Sequence, residues 1–151
     1  KQPLLVVATG GGMKMQESII SLNQMTRTTL AVNELKTKQI PYIVLFADPV
    51  AGGITASYAM LGDIQIAEPG ALIAFAGRRV IEGTVKEELP ENFQKSEHVQ
   101  ACGFVDTIIQ RKDLPEKIGI LLSILLKKQS DVKIEDGDKT SEDNIENREA
   151  S

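Results

Sequence analysis

Short apolar runs alternate along this chain with longer stretches in which apolar residues recur at intervals of three and four. The apolar runs predict buried strands at 3–8, 40–47, 63–67, 71–75 and 104–109. The spaced pattern predicts helices at 13–37, 53–61, 79–88, 96–102 and 114–128. Strands that are apolar throughout and alternate with helices are typical of a parallel sheet covered by helices. The sequence therefore predicts an α/β fold.

The composition is that of one soluble globular domain. The chain has 151 residues, of which 42% are hydrophobic and 25% charged. Its longest apolar stretches, such as 118–126, are much shorter than the roughly 20 residues that a membrane-spanning helix needs, and residues 1–12 lack the pattern of a secretory signal. No contact with a membrane is expected, and a cytoplasmic location is predicted. Because Cys102 is the single cysteine, the chain cannot form an internal disulfide or a cysteine-based zinc site.

The formal net charge of −4 hides an acidic C-terminal segment. Residues 130–151 carry eight acidic and three basic side chains and very few apolar ones, which predicts a disordered tail. Residues 1–129 then form the predicted domain, with 14 basic and 13 acidic side chains. A nearly neutral domain lacks the clustered basic face that is typical of nucleic-acid binding, so no nucleic-acid partner is expected.

Two glycine clusters follow the first two apolar runs, and each is predicted to open a helix. They are Gly10, Gly11 and Gly12 after the first run, and Gly52 and Gly53 after the second. Glycine lets a ligand approach the backbone closely, and free N–H groups at a helix N-terminus favour an anion. If parallel strands bring the clusters together, an N–H group from each could form an oxyanion hole. Tight turns and close packing are the alternative explanation of these glycines.

Three stretches closely resemble the carboxyltransferase beta subunit of bacterial acetyl-CoA carboxylase. They are residues 10–25, 40–84 and 89–97, and the resemblance runs in order from about residue 3 to residue 126. It implies a crotonase-like fold, a spiral of strand–helix units. It also implies an enzyme that transfers the carboxyl group from carboxybiotin to acetyl-CoA, giving malonyl-CoA for fatty acid biosynthesis.

The resemblance assigns roles to the glycine clusters and to nearby cations. Gly11, Gly12, Gly52 and Gly53 become the catalytic oxyanion hole, and Met13 and Lys14 are expected at the substrate beside the first cluster. Arg78 and Arg79 are candidates for contacts with CoA phosphates or with a partner subunit, although an exposed helix start explains them equally well.

Four residues depart from the family pattern. Met13 replaces a small residue and could crowd the hole, and Lys14 replaces an arginine and loses its planar fork. Arg78 stands where proline is usual. Gly83 stands where glutamine is usual, and inside a predicted helix it should cost about 1 kcal/mol.

The resemblance also implies partners and a missing part. Family members carry a four-cysteine zinc ribbon and the first part of the crotonase-like domain upstream of the first strand found here. The chain is therefore expected to be N-terminally incomplete, to bind no zinc, to leave a sheet edge uncovered and to be inactive alone. The implied cofactor is biotin on the biotin carboxyl carrier protein. The implied partner is a carboxyltransferase alpha subunit, with two copies of each subunit and no nucleotide site in this chain.

Three alternatives remain open from the residues. Ser57 with His98 and Asp106 could form the triad of a crotonase-fold serine peptidase, although packing explains Ser57 and a solvent face explains His98 more simply. Hydratase chemistry on the same fold would need an acid near the glycines, and Asp48 and Glu17 are the candidates. The third alternative is a non-catalytic or degenerate subunit that binds a partner without turnover.

Overall fold

A four-stranded, wholly parallel sheet forms the centre of the computed structural model, which describes residues 2–86 and 88–127. The strands lie in the order β1, β2, β3, β4, and their bounds are Leu4–Gly10, Tyr42–Val50, Ile64–Ala67 and Thr107–Ile108. The α/β prediction is confirmed. The predicted strand at 71–75 is wrong, because this segment makes only single bridges, from Ile73 to Val50 and from Leu72 to Lys95.

Within residues 2–86 and 88–127, four α-helices accompany the sheet. They are α1 (Ser18–Thr37), α2 (Arg78–Val85), α3 (Ser96–Ala101) and α4 (Leu114–Leu125). Single 3₁₀ turns cover Met15–Glu17, Ala59–Leu61 and Arg111–Asp113. Among the described residues, no helix is long and apolar enough to cross a membrane, and no group of three metal-binding side chains occurs there.

Strand β2 carries the core on both of its faces. All five residues of its first half, Tyr42 to Phe46, are buried. Tyr42, Val44 and Phe46 pack in one cluster with Val32 of α1, while Ile43 and Leu45 pack in a second cluster with Leu114 of α4. A strand that is apolar on both faces is what a parallel sheet covered on both sides requires.

Two of the predicted helices differ from the structure, and both differences lie beside the glycine clusters. The first long helix begins at Ser18 rather than at residue 13. The predicted helix at 53–61 is instead a series of turns ending in a 3₁₀ turn. Here the hydroxyl groups of Thr55 and Ser57 bond to Gly52 and Gly53 carbonyl oxygens. Such local side-chain bonds compete with the regular helical ladder.

Some predictions fall beyond what the structure describes. The acidic tail predicted at 130–151 lies outside the described residues. The boundary of the predicted domain at residue 129 lies there too. Both stay predictions.

Several large apolar side chains are exposed on α1 and β1. On α1 these are Ile19, Ile20, Leu22 and Leu30, and on β1 they are Leu4 and Val7. Strand β1 is the outer strand on its side of the sheet within the described residues. Its far edge therefore has no neighbouring strand in this part of the chain.

Candidate active site

The two glycine clusters meet at the carboxyl edge of the sheet. We call residues 10–14 the first loop and residues 51–55 the second loop. In the β1–β2 register Gly10 lies opposite Val50, and the N–H of Ala51 donates to the carbonyl oxygen of Gly10 at 3.0 Å. A Cβ atom placed on Gly52 would lie 3.1 Å from the α-carbon of Gly12. The structure thus brings Gly12 and Gly52 into direct contact.

The second loop is held by hydrogen bonds, several of which run to the segment at 74–75. The N–H of Gly52 lies within bonding distance of two carbonyl oxygens, those of Ala74 (3.2 Å) and Phe75 (3.1 Å). The buried hydroxyl of Thr55 lies 2.8 Å from the carbonyl oxygen of Gly52 and 2.7 Å from that of Ala74. Because the Gly52 N–H is already bonded, a ligand would find its donor in this loop at Gly53. The N–H of Gly53 has no acceptor within the described part of the chain.

The first loop presents unbonded N–H groups. Those of Gly11, Gly12 and Met13 have no acceptor among residues 2–86 and 88–127. The loop is fixed at its ends: Gly10 accepts from Ala51, and the carbonyl oxygen of Lys14 accepts from the N–H of Glu17 at 3.1 Å. A run of free backbone N–H groups is a concave donor surface for a negatively charged oxygen.

These donors belong to loops rather than to helix ends. The first α-helical residue after the first loop is Ser18, and the second loop leads into turns. The helix-dipole part of the sequence argument therefore does not apply. What remains is the glycine geometry: Gly12 has a φ of +115° and Gly52 a φ of +62°, which side chains other than glycine rarely allow.

Met13 of the first loop lies beside the second loop. Its half-buried side chain rests on Gly53, so that a Cβ atom placed there would be 2.6 Å from Cγ of Met13. The two loops therefore touch not only through the hydrogen bond from Ala51 to Gly10 and the packing of Ile54 on Gly10, but also through Gly12 on Gly52 and Met13 on Gly53.

Lys14 and Arg79 carry exposed positive charges near the ends of this site. Neither side chain has a hydrogen-bond or ion-pair partner in the described part of the chain. Lys14 closes the first loop. Arg79 is the second residue of α2, four positions after Phe75, whose carbonyl oxygen accepts from Gly52. Both side chains are open to an anionic ligand.

Arg78, by contrast, is engaged within the chain. Its Nε donates to Glu82 Oε1 at 2.8 Å and its Nη1 to the carbonyl oxygen of Pro90 at 3.0 Å, while Nη2 donates to Leu89. The guanidinium fastens the start of α2 to the segment at 89–90. Its predicted contact with substrate has no support from these bonds.

The structure does not bring the residues of the serine peptidase triad together. Ser57 is buried and donates to the carbonyl oxygen of Gly53 at 2.6 Å. Asp106 accepts from the N–H of Gln65 at 2.7 Å, and the ring of His98 lies against Phe93 and near Cys102. The peptidase alternative is therefore wrong, and packing explains Ser57.

The candidate acids of hydratase chemistry also have structural partners. Asp48 accepts from the N–H of Leu72 at 2.7 Å, and Glu17 accepts from the hydroxyl of Ser21 at 2.8 Å. The Asp48 bond fits its simpler interpretation as a cap of a loop N–H. Glu17 precedes α1, but its side chain makes no capping bond to a backbone N–H of that helix.

An ion pair at the same edge of the sheet was not predicted from the sequence. Arg111 donates from Nε and Nη2 to the two carboxylate oxygens of Glu68, at 2.6 and 2.7 Å. The hydrogen bond from Arg111 lowers the pKa of Glu68, against the opposing effect of burial. The two residues follow β3 and β4 and are 43 positions apart, so no local pattern could reveal the pair.

An apolar cleft of about 400 Å³ adjoins the second loop. It includes Thr55 and Ala56 at the loop, Met60 and Ile73, and the exposed rings of Phe75 and Phe104. Room for an apolar group therefore lies next to the free donors.

Known proteins are similar to this chain in sequence and in fold. None of the family models matches the chain. The acetyl-coenzyme A carboxylase carboxyl transferase subunit beta of Pelagibacter ubique is 68% identical over 143 residues, which are 95% of this chain and 46% of that protein. A crystal structure of transcarboxylase 12S, solved with methylmalonyl-coenzyme A and methylmalonic acid bound, aligns with a TM-score of 0.69. It is 25% identical over 81% of this chain and 24% of its own. The malonate decarboxylase hetero-dimer of Pseudomonas aligns with a TM-score of 0.65 and 21% identity, over 84% of this chain and 54% of that one.

These neighbours and the parallel sheet with its paired loops define a protein of the crotonase-like fold. The chain belongs to the family of acetyl-CoA carboxylase carboxyl transferase beta subunits, as the resemblance predicted. It spans less than half the length of the curated relatives it matches.

Proposed function

We propose that this chain takes part in transferring a carboxyl group from carboxybiotin to acetyl-CoA, which gives malonyl-CoA. The observation that carries the proposal is the contact of the two glycine loops, Gly12 on Gly52, with unbonded N–H groups on both sides of it. The name shared by the curated relatives supports the choice of reaction.

The reaction places negative charge on oxygen atoms, which free amides can stabilise. The acetyl methyl group loses a proton and forms a carbon–carbon bond to the carboxyl group, so charge develops on the thioester oxygen. The broken carbon–nitrogen bond places charge on the ureido oxygen. Carboxybiotin supplies the carboxyl group, and its nitrogen takes up the methyl proton.

The chain offers donors for one such oxygen. We assign the N–H groups of Gly12 and Met13 in the first loop and of Gly53 in the second. Gly52 supports them, because its own N–H is bonded to the chain. Each donor is expected to contribute about 3 kcal/mol of transition-state stabilisation. Neither loop contains histidine, which suits a reaction in which the proton goes to the cosubstrate.

Lys14 and Arg79 are the proposed contacts to CoA phosphates. Both cations are exposed and unpaired within the described residues, and phosphate is a favoured partner of such side chains. Arg78 is left out of this role because its guanidinium already holds α2.

The wider assembly follows from the family and belongs to the proposal. We propose that the chain works in the cytoplasm with a carboxyltransferase alpha subunit and the biotin carboxyl carrier protein, in a heterotetramer with two copies of each carboxyltransferase subunit. Its product would enter fatty acid biosynthesis.

The test is the reverse reaction in a complex with the alpha subunit. Biotin-dependent consumption of malonyl-CoA is measured for the wild type, Gly12→Val and the control Gly77→Ala. Gly77 has open space around it, so its variant should stay within about twofold, whereas Gly12→Val should lose at least about 100-fold. Full turnover in Gly12→Val contradicts the proposed site. No turnover in the wild type favours a degenerate subunit.

A further inference from the structure

The Met13 side chain takes the place that a side chain at position 53 would occupy. A Cβ atom on Gly53 would lie 2.6 Å from Cγ, 2.9 Å from Sδ and 3.0 Å from Cε of Met13. Non-bonded atoms essentially never approach a Cβ atom as closely as Cγ and Sδ would here. The pair fits together only because residue 53 is glycine.

This contact matters because little else fixes the first loop. Its backbone is bonded at Gly10 and at Lys14, and the N–H groups between them have no acceptor within the described residues. The middle of the first loop is held by packing on the second loop and not by hydrogen bonds. Gly12 contributes only backbone atoms to that packing, so the side-chain contact comes from Met13.

We infer that Met13 is a positioning residue whose side-chain bulk sets the distance between the N–H donors of the first loop and that of Gly53. The inference rests on the proposed function, because it concerns the same donors. Oxyanion stabilisation depends strongly on donor placement, and a displacement of about 1 Å can lower a rate about 100-fold. Removing most of the side chain should therefore slow turnover while leaving every N–H group in place.

Kinetics of side-chain variants test the inference in the complex with the alpha subunit. Met13→Ala should lower kcat for biotin-dependent malonyl-CoA consumption about 10–100-fold, with KM changed less than about threefold. Met13→Leu, of similar volume, should restore most of kcat, and Met25→Ala on α1 is the matched control. If Met13→Ala does not fold, Met13→Val also removes Sδ and Cε and should show the same pattern. A kcat within about twofold of the wild type, or equal losses in the Leu and Ala variants, overturns the inference.

A second measurement tests the contact without relying on turnover. Gly53→Ala should lower the Tm by about 3 °C or more when Met13 is present, and by less than about 1 °C in the Met13→Ala background. Equal shifts in both backgrounds mean that Met13 does not rest on Gly53, and the inference is overturned. Failure of the proposed function is recognised separately by a wild-type complex without turnover, and the positioning role is then overturned with it.

Discussion

The two glycine loops lie side by side but are held in different ways. The second loop is bonded at Gly52 and Thr55: Gly52 donates to Ala74 and Phe75, and the Thr55 hydroxyl is shared between the carbonyl oxygens of Gly52 and Ala74. The first loop is bonded only at its ends and leans on the second through Gly12 and Met13. The second loop is therefore fixed by hydrogen bonds, and we call it the frame. The first loop presents free N–H groups beside it, and we call it the donor loop.

The difference shows that similar glycine clusters need not have similar roles. In the second loop one glycine amide is used to build the site, which leaves its neighbour for the ligand. In the first loop the amides stay free. Packing on the second loop, which is already fixed, positions this loop in place of hydrogen bonds. We therefore expect substitutions that displace the second loop to lower both stability and activity. In the first loop, a side chain that meets no neighbour and keeps its N–H should change neither much, whereas loss of the Met13 packing should mainly lower activity.

Alanine at Gly52 and at Gly11 gives the sharpest contrast. Gly52 has a φ of +62°, and a Cβ atom there would meet the Gly12 backbone at 3.1 Å, whereas nothing lies within 4 Å of a Cβ atom at Gly11. Gly52→Ala should lower kcat/KM for the reverse reaction by at least about 100-fold and lower the Tm. Gly11→Ala keeps its N–H and should stay within about threefold. Comparable losses in the two variants would remove the distinction between frame and donor loop.

Thr55 tests the frame with a smaller change. Thr55→Val removes the hydroxyl that bonds to Gly52 and Ala74, and it leaves two buried carbonyl oxygens with fewer donors. The free energy of unfolding should fall by about 1–3 kcal/mol, measured by urea denaturation. Thr37→Val is the control, because that hydroxyl bonds to Asn33 on an exposed helix face. A loss no larger than that of the control would show that the hydroxyl does not fix the loop.

The Glu68–Arg111 ion pair lies at the same edge of the sheet as the two loops. Its contribution to stability should depend on pH, and it is the smallest effect that we expect. The pKa of Glu68 is lowered from its ordinary 4.5, so its contribution to stability is present above about pH 4.5 and is lost as pH falls through the lowered pKa. Solvent screening limits the effect, because the Arg111 side chain is 79% exposed. Glu68→Gln should lower the Tm at pH 7, and its difference from the wild type should shrink as the pH falls further below 4.5. A difference that is independent of pH contradicts the assignment, and Glu34→Gln serves as the control.

The fold class and the proximity of the two glycine loops could be predicted from the sequence. Apolar strands alternating with helices indicate a parallel sheet, and loops that follow neighbouring parallel strands lie at one edge. The loss of the helix at 53–61 was not predictable, because the Thr55 hydroxyl also bonds to Ala74, 19 residues away. The engagement of Gly52 depends on the same distant segment. The bonds of Arg78 to Leu89 and Pro90 were not predictable either, because these partners meet it only in the folded chain.

A crystal structure of the carboxyltransferase complex with malonyl-CoA and biotin would test the central claim most directly. The account predicts a thioester or ureido oxygen about 2.7–3.1 Å from the nitrogen of Gly53 and from that of Gly12 or Met13, with the Gly52 N–H still bonded to the chain. A substrate oxygen bound by Gly52, or both loops remote from both substrates, would contradict it.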